Sequence, residues 1–481
     1  MPEPTNTPTR SIIVCGSGLA ASLTALSLAR GLDETCGIIQ VRGAAVPQED
    51  VLYGNATDPA SYNFLRRLGL DEPTLLLKSA ASFSYGCHFR KWLSSHSWLQ
   101  CHHAPFKTIS GIPLFHHVTR ASAALQPLLV SAQAALAGRF AHPPSDPGNA
   151  LSQAEYGYQT DPCELTRLVD AQLANTHVRR LDADIRSIEA EGSRLTAIQL
   201  DTGETVTASL FIDASGPSRR AINSVGGRFN AERTIGAAKT TRATDQLGPP
   251  CREIETNALG WTSKAFLQNG EHVLHVGPAD TAENPDAHFT VELGHLTNAW
   301  VGNCVAIGHA ASVVEPLTPA PMIMLQRDIE RLLELIPVLD DMTVEQKEFN
   351  RRFREDTAHI TMFHDALLSG SDAPASSYWR DALSKPHNEK LERKITQFTN
   401  RGILTRYDLE PFNDEDWTIA HMGMGRVPSQ YDRQVDRISK DETERNLTHM
   451  SETIKQLIPK MPPHHIYVAK LKQYLEKKNH V

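Results

Sequence analysis

Ser11-Ile12-Ile13-Val14-Cys15-Gly16-Ser17-Gly18-Leu19-Ala20-Ala21 decides the fold class of this chain. Ile12, Ile13 and Val14 form a short β-branched run of the kind carried by a strand buried on both faces. Gly16 and Gly18 follow, and Ala21 stands where a G-x-G-x-x-G/A fingerprint places its third small residue. Leu19, Leu23, Leu26 and Ala29 then recur at helical spacing. Gly16 permits the tight turn, Gly18 lets backbone approach a pyrophosphate, and Ala21 lets helix and strand pack closely. The helix N-terminus turns its free N–H groups and the positive end of its dipole toward the phosphates. Strand, glycine turn and helix in this order predict dinucleotide binding, with Gly16, Ser17, Gly18, Leu19, Ala20 and Ala21 as the cradle.

Outward from this turn, Gly37-Ile38-Ile39-Gln40-Val41 reads as the second strand of a βαβ unit. Such units usually end that strand on an acidic residue that holds the ribose hydroxyls. Here the place is taken by Arg42. Either Arg42 packs on the adenosine and meets its phosphates, or it is a solvated surface arginine and nucleotide binding is weakened. Asn55, Ala56 and Thr57 come next as further cofactor-side candidates, then a helix over 62–70 with Gly69 as its C-cap.

Composition narrows the class. The chain has 481 residues, 40% hydrophobic and 22% charged, which suits two or three structural units of a globular protein. A net charge of -8 speaks against nucleic acid as the main partner. Seven cysteines without a C-x-x-C pair fit a reducing compartment. The first ten residues hold no apolar signal core, and no apolar run approaches the ~20 residues of a membrane span. The expectation is a cytoplasmic protein that touches neither membrane nor nucleic acid. Five histidines at 88, 102, 103, 116 and 117 lack metal-ligand spacing, so no metal site is expected.

Ser82 to Trp92 alternates like one antiparallel strand, and 134–155, with Pro143-Pro144 and Pro147-Gly148, reads as a loop or crossing. Asp161 and Pro162 open a helix to Leu173. Three short strands over 183–207 form a meander that feeds the apolar strand Leu210-Phe211-Ile212-Asp213, with Ser215 and Gly216 after it. Residues 240–295 read as β-rich. Ala299 to Ile307 is another strand, entering Gly308-His309-Ala310-Ala311. Glu315-Pro316-Leu317-Thr318-Pro319-Ala320-Pro321 precedes a helix expected over 322–339, whose N-terminus suits the negative edge of a reduced flavin. The boundaries expected are an FAD-binding part over 1–80, substrate-domain strands over 81–155, and an FAD-binding part with the meander over 156–235. A substrate-domain sheet follows over 236–297, then an FAD-binding return over 298–340 and a helical C-terminal region over 341–481.

Taken together, these stretches resemble the flavin-dependent tryptophan halogenase family. The resemblance is carried by the glycine turn, Phe211 to Gly216, Asn303 to Gly308, Glu315-Pro316-Leu317, Gly111 to His117 and Tyr156-Gly157-Tyr158. A C-terminal set of motifs from Tyr407-Asp408 to Met461-Pro462-Pro463-His464 adds to it. It implies an α/β flavoprotein-monooxygenase fold with an antiparallel substrate sheet and a helical C-terminal extension. It also implies FAD supplied as FADH2 by a separate reductase, O2 as co-substrate, and a flavin C4a-hydroperoxide. Gly308, Leu317, Thr318, Pro319 and Ala320 become flavin-loop candidates, beside Asp213, Ser215 and Gly216.

The departures lie at the halogenation positions. The family lysine in Thr-Phe-Lys-x-Gly is Ser84 here, and the glutamate of Glu-Pro-Leu-Glu-Ser is Thr318. Of the W-x-W-x-I-P stretch one tryptophan remains, in Gly260-Trp261-Thr262. A hydroxyl replaces neither an amine nor a carboxylate acid/base. The residues therefore point to oxygenation of an electron-rich aromatic, an indole or phenol, free or as a tryptophan in a partner protein. His309, His88, His102, His103 and Lys264 are the catalytic candidates, since a histidine titrating near about 6.5 can exchange protons with a phenol or a peroxide. The alternatives are a halogenase using another lysine, such as Lys78 or Lys264, and a flavin-binding accessory protein without turnover. A homodimer is compatible with all three.

Overall fold

The computed structural model describes residues 10–44, 48–93, 96–338, 340–370, 373–384 and 388–479. The strand Arg10–Cys15 sits inside a six-stranded sheet of order 300–301, 304–306, 210–213, 10–15, 36–42, 179–182. Its two neighbours run parallel to it, with Ile13 facing Phe211 on one side and Ile39 on the other. Only the 300–301 edge is antiparallel. The helix Leu19–Gly31 follows as its spacing predicts, and all residues from Leu19 to Leu28 are buried. It lies against the Pro162–Leu173 and Ala320–Glu334 helices, which explains why it is apolar on every face. Its four buried leucines each contribute about 1.5–3 kcal/mol of transfer free energy.

A second sheet has eight strands in the order 312–313, 289–296, 229–242, 270–278, 261–267, 252–256, 86–90, 98–101. All its pairings are antiparallel except 252–256 with 86–90. The meander over 185–206 forms a separate three-stranded sheet. The Pro162–Leu173 helix has the expected bounds, and the Asp161 carboxylate accepts from Cys163 N at 2.8 Å. Helices from Thr343–Leu368 to His464–Asn479 complete the C-terminal region. Among the described residues, no helix is long and apolar enough to cross a membrane.

Three expectations change. The single strand expected over 82–92 is two: Ser82–Ser84 pairs with Gly157–Gln159, and Gly86–Arg90 joins the large sheet. The break falls at Gly86, whose φ of +140° and close approach to Gln100 O leave no room for a side chain. The helix expected over 322–339 runs Ala320–Glu334. Pro321 fits its first turn, where a missing N–H costs nothing, and Leu339 lies outside the described residues. The expected loop over 134–155 contains the end of the Val130–Leu136 helix and a short helical turn at Ala150–Gln153.

Candidate active site

Three strand ends meet at the glycine turn. Ala214 N donates to Cys15 O, Ile307 N to Asp213 O, and Gly16 N to Val41 O, all at 2.9 Å. Gly16 holds φ +143°, and a Cβ there would stand 2.2 Å from Ala214 O. Only bare backbone fits. Asp213 is wholly buried, and its two oxygens accept from Ser215 N and Oγ and from Ala221 N and Ile222 N. It holds the Ser215–Gly216 turn and caps the next helix. Asn55, Ala56 and Thr57 are likewise occupied, joined to Thr160, Gln159 and Tyr158. Arg42 is half-buried between Asp170 at 3.7 Å and Asp182 at 3.6 Å.

Asp50 and Tyr53 carried no signal in the sequence. The Asp50 Oδ2 accepts from Leu19 N at 2.9 Å, and a Cβ on Gly18 would lie 2.7 Å from Asp50 Oδ1. A carboxylate thus already rests on the helix end that would take phosphate, which is direct evidence that this end attracts anions. Tyr53 stacks on His309 at 3.8 Å, and its hydroxyl accepts from His309 N at 3.0 Å. Gly308 has φ +63° and would place a Cβ 2.3 Å from that hydroxyl. These residues fit an FAD dinucleotide: the turn Gly16–Ala21 for the phosphates, with Ser215, Gly216 and Gly308 around it.

Burial pushes the Asp50 carboxyl up to about 6, against the Leu19 N–H bond. Its folded value lies above the unfolded value of about 3.9, so its stabilising contribution is complete below pH ~4 and is lost as pH rises through 6. Above pH 6 the carboxylate is anionic and competes with phosphate. Asp50→Asn is expected to tighten FAD binding a few-fold at pH 8 and to change it little at pH 5, measured by flavin fluorescence titration. Equal effects at both pH values would contradict this.

The Glu315–Pro319 loop is held from behind. Glu315, buried, pairs with Arg233 and accepts from Trp261 Nε1 at 3.1 Å and from Tyr378 Oη at 2.8 Å. Arg252 is buried and donates to Pro316 O at 2.5 Å and Leu317 O at 2.7 Å. The Thr318 hydroxyl bonds His364 Nε2 at 3.0 Å. Burial, with Arg252 and Arg233 nearby, pushes His364 down to about 3, so it is neutral.

In front of this loop lies a cavity of about 250 Å³. Thr318, Pro319 and Ile323 form one wall, and Phe363 and Phe412, stacked at 3.9 Å, another. His102, His103, Cys87 and Cys101 face them. His103 is also a wall of a second, more apolar hollow of about 430 Å³ that includes Phe106, Leu128 and Ile454. His102 is pushed down to about 4 by burial, and its Nε2 is buried with no hydrogen-bond partner.

Of the catalytic candidates, only His102 and His103 line this cavity. His309 is stacked under Tyr53. His88 and Lys264 stand half-buried on the large sheet, each in register with Glu253, and neither is part of the lining. Lys78 is exposed at the end of the Glu72–Lys78 helix. Ser84 is buried, its Oγ joined to Gly86 N and O at 3.2 Å.

A family model described as tryptophan halogenase matches residues 11–440. The chain belongs to the tryptophan halogenase family. Among curated relatives, this halogenase-family protein is 23% identical to the tryptophan 7-halogenase KtzQ of Kutzneria sp. (strain 744) over 447 residues, 81% of each chain. Its match to the 7-chloro-L-tryptophan 6-halogenase KtzR of the same organism is 24% identical and spans 41% of this chain and 39% of that one. Among solved structures, BrvH, a flavin-dependent halogenase from Brevundimonas sp., superposes with a TM-score of 0.88 at 24% identity, covering 96% of this chain and 99% of that one. The family and the α/β flavoprotein fold agree with the reading of the motifs.

Proposed function

We propose that this halogenase-family enzyme halogenates an electron-rich aromatic ring of indole type in the cavity between Thr318–Pro319 and His102–His103. FAD is delivered reduced by a separate reductase. The observation that carries this reading is the cavity itself, which places aromatic walls for a flat substrate against the cofactor-side loop. This departs from the oxygenation favoured on sequence grounds, because the family, the fold and an enclosed cavity at the loop all favour the family's own reaction. The balance is arene C–H, halide, O2, FADH2 and a proton giving arene C–halogen, FAD and two waters.

The bound reduced flavin with O2 supplies the oxidising equivalent; the chain supplies position. Phe363 and Phe412 present faces for the ring. Neutral His102, with its unpartnered Nε2, meets an indole N–H. Asp416, pushed up to about 7 by burial and by Glu415, Asp58 and Glu155, has the proton affinity to take the ring hydrogen released on substitution. The Thr318–His364 bond fixes the loop hydroxyl.

A second reading, direct oxygenation, is favoured by one observation: among the described residues no lysine or arginine lines the cavity. Its balance needs no halide: arene C–H, O2 and FADH2 give the phenol, FAD and one water. Incubating the protein with FAD, a flavin reductase, NADH, 18O2, bromide and 3-methylindole separates the two by mass spectrometry. A bromoindole supports halogenation. An 18O-labelled product without bromine moves the assignment to oxygenation, and neither product leaves the accessory-protein alternative.

A further inference from the structure

Three carboxylates belong to the same cavity: Asp58, Asp416 and, at its mouth, Glu155. Asp58 Oδ1 accepts from Ser61 N and Oγ at one end of the Ser61–Arg67 helix, and Asp416 Oδ2 accepts from Asn413 N at 2.9 Å in a capping box. Both are therefore fixed in place by their own helices. No cation among the described residues faces them from the lining, and both histidines are held toward their neutral form by burial. Arg252 stands behind the wall at Cys87, with its guanidinium already committed to the Pro316 and Leu317 carbonyls. The cavity thus concentrates negative charge around aromatic walls. A second, independent feature is the His102 Nε2, buried and unpartnered in the same hollow, which is the mark of a group awaiting a ligand polar atom.

We infer that the ring accepted here carries an alkylammonium arm and no carboxylate, as in an indole-ethylamine. The inference rests on the reading of this cavity as the arene site. An ammonium relieves the mutual repulsion of Asp58, Glu155 and Asp416 and pairs with a carboxylate. A free amino acid brings a further anion into a site without a counter-cation, and like charges in an enclosed, weakly solvated volume repel strongly. At about 250 Å³, or roughly eight waters of about 30 Å³, the cavity has room for a bicyclic ring with a short arm. The adjoining hollow beyond His103 takes what a longer arm carries.

The test is direct binding to the full chain at pH 7.5 by calorimetry, with tryptamine, 3-methylindole, tryptophan and indole-3-propionate. Tryptamine is expected to bind at least tenfold more tightly than 3-methylindole, and both carboxylate-bearing ligands at least tenfold more weakly than tryptamine. Raising NaCl to 0.5 M weakens tryptamine and leaves 3-methylindole unchanged. Glu155→Gln, at the exposed mouth, and Asp58→Asn each reduce the tryptamine preference several-fold, with 3-methylindole binding as the check that the cavity is intact. Tryptophan or indole-3-propionate binding within threefold of tryptamine overturns the inference, as does absence of amine binding. Turnover of neutral 3-methylindole, run in parallel, keeps the two claims apart. Product without an ammonium preference sinks only the charge assignment, whereas tryptamine binding without any arene product sinks the proposed reaction.

Discussion

Gly16→Ala is expected to lower stability by about 2–5 kcal/mol and to abolish measurable FAD binding. Two costs add. A non-glycine residue at φ +143° carries backbone strain of about 1–3 kcal/mol. The new methyl stands 2.2 Å from Ala214 O and 3.0 Å from Ala21 Cβ, so the strand end and the helix must part, an overpacking cost of about 1–3 kcal/mol. That parting moves the Leu19 N–H and the Ala214 turn, the two features that shape the cradle. Gly111→Ala separates the two costs, because Gly111 also has a positive φ, +80°, but open space around its Cβ. It is expected to cost only about 1 kcal/mol and to leave FAD binding intact. Urea denaturation and flavin fluorescence titration read both. Similar losses in the two variants would mean that the close approach at Gly16 carries no weight.

Glu315→Ala is the second large effect, at about 3–5 kcal/mol, the usual cost of removing one member of a buried ion pair. It leaves the Arg233 guanidinium buried without its carboxylate, and it strips the acceptor from the Trp261 indole N–H and the Tyr378 hydroxyl. Because Pro316 follows directly, the cavity-side loop loses one of its two anchors, the other being Arg252. Glu315→Gln keeps an acceptor of the same shape and is expected to fall between wild type and alanine. A change below about 1 kcal/mol for Glu315→Ala in denaturant titration would contradict the anchoring role.

The cofactor end was legible because its chemistry is contiguous: strand, glycine turn and helix lie within twenty residues, and each residue type answers a local steric demand. The Pro162–Leu173 helix was legible for the same reason, with cap and first-turn proline adjacent. The cavity is built otherwise. Asp58, Glu155, Phe363, Phe412 and Asp416 are brought together over more than 350 residues by the packing of helices against the large sheet, and no local pattern announces them. His102 and His103 were marked by residue type alone, and so were His88 and Lys264, which stand on the large sheet away from the lining. The strand break at Gly86 escaped because alternation continues through it, while the close approach of Gln100 is a tertiary event. Asp50 was hidden because a carboxylate on a phosphate-binding helix end has meaning only once the chain is folded.

The most direct test of the cavity as the reaction chamber is to fill it. Ala60 lines it from outside the cofactor cradle and is followed by the Ser61–Arg67 helix. Ala60→Phe places a ring into the hollow. With reductase, NADH, FAD, O2 and bromide, the wild-type protein is expected to convert 3-methylindole, and Ala60→Phe to lose at least 100-fold of that rate while its FAD affinity stays within twofold. Undiminished product formation by Ala60→Phe, with flavin bound, would place the reaction elsewhere and contradict the account.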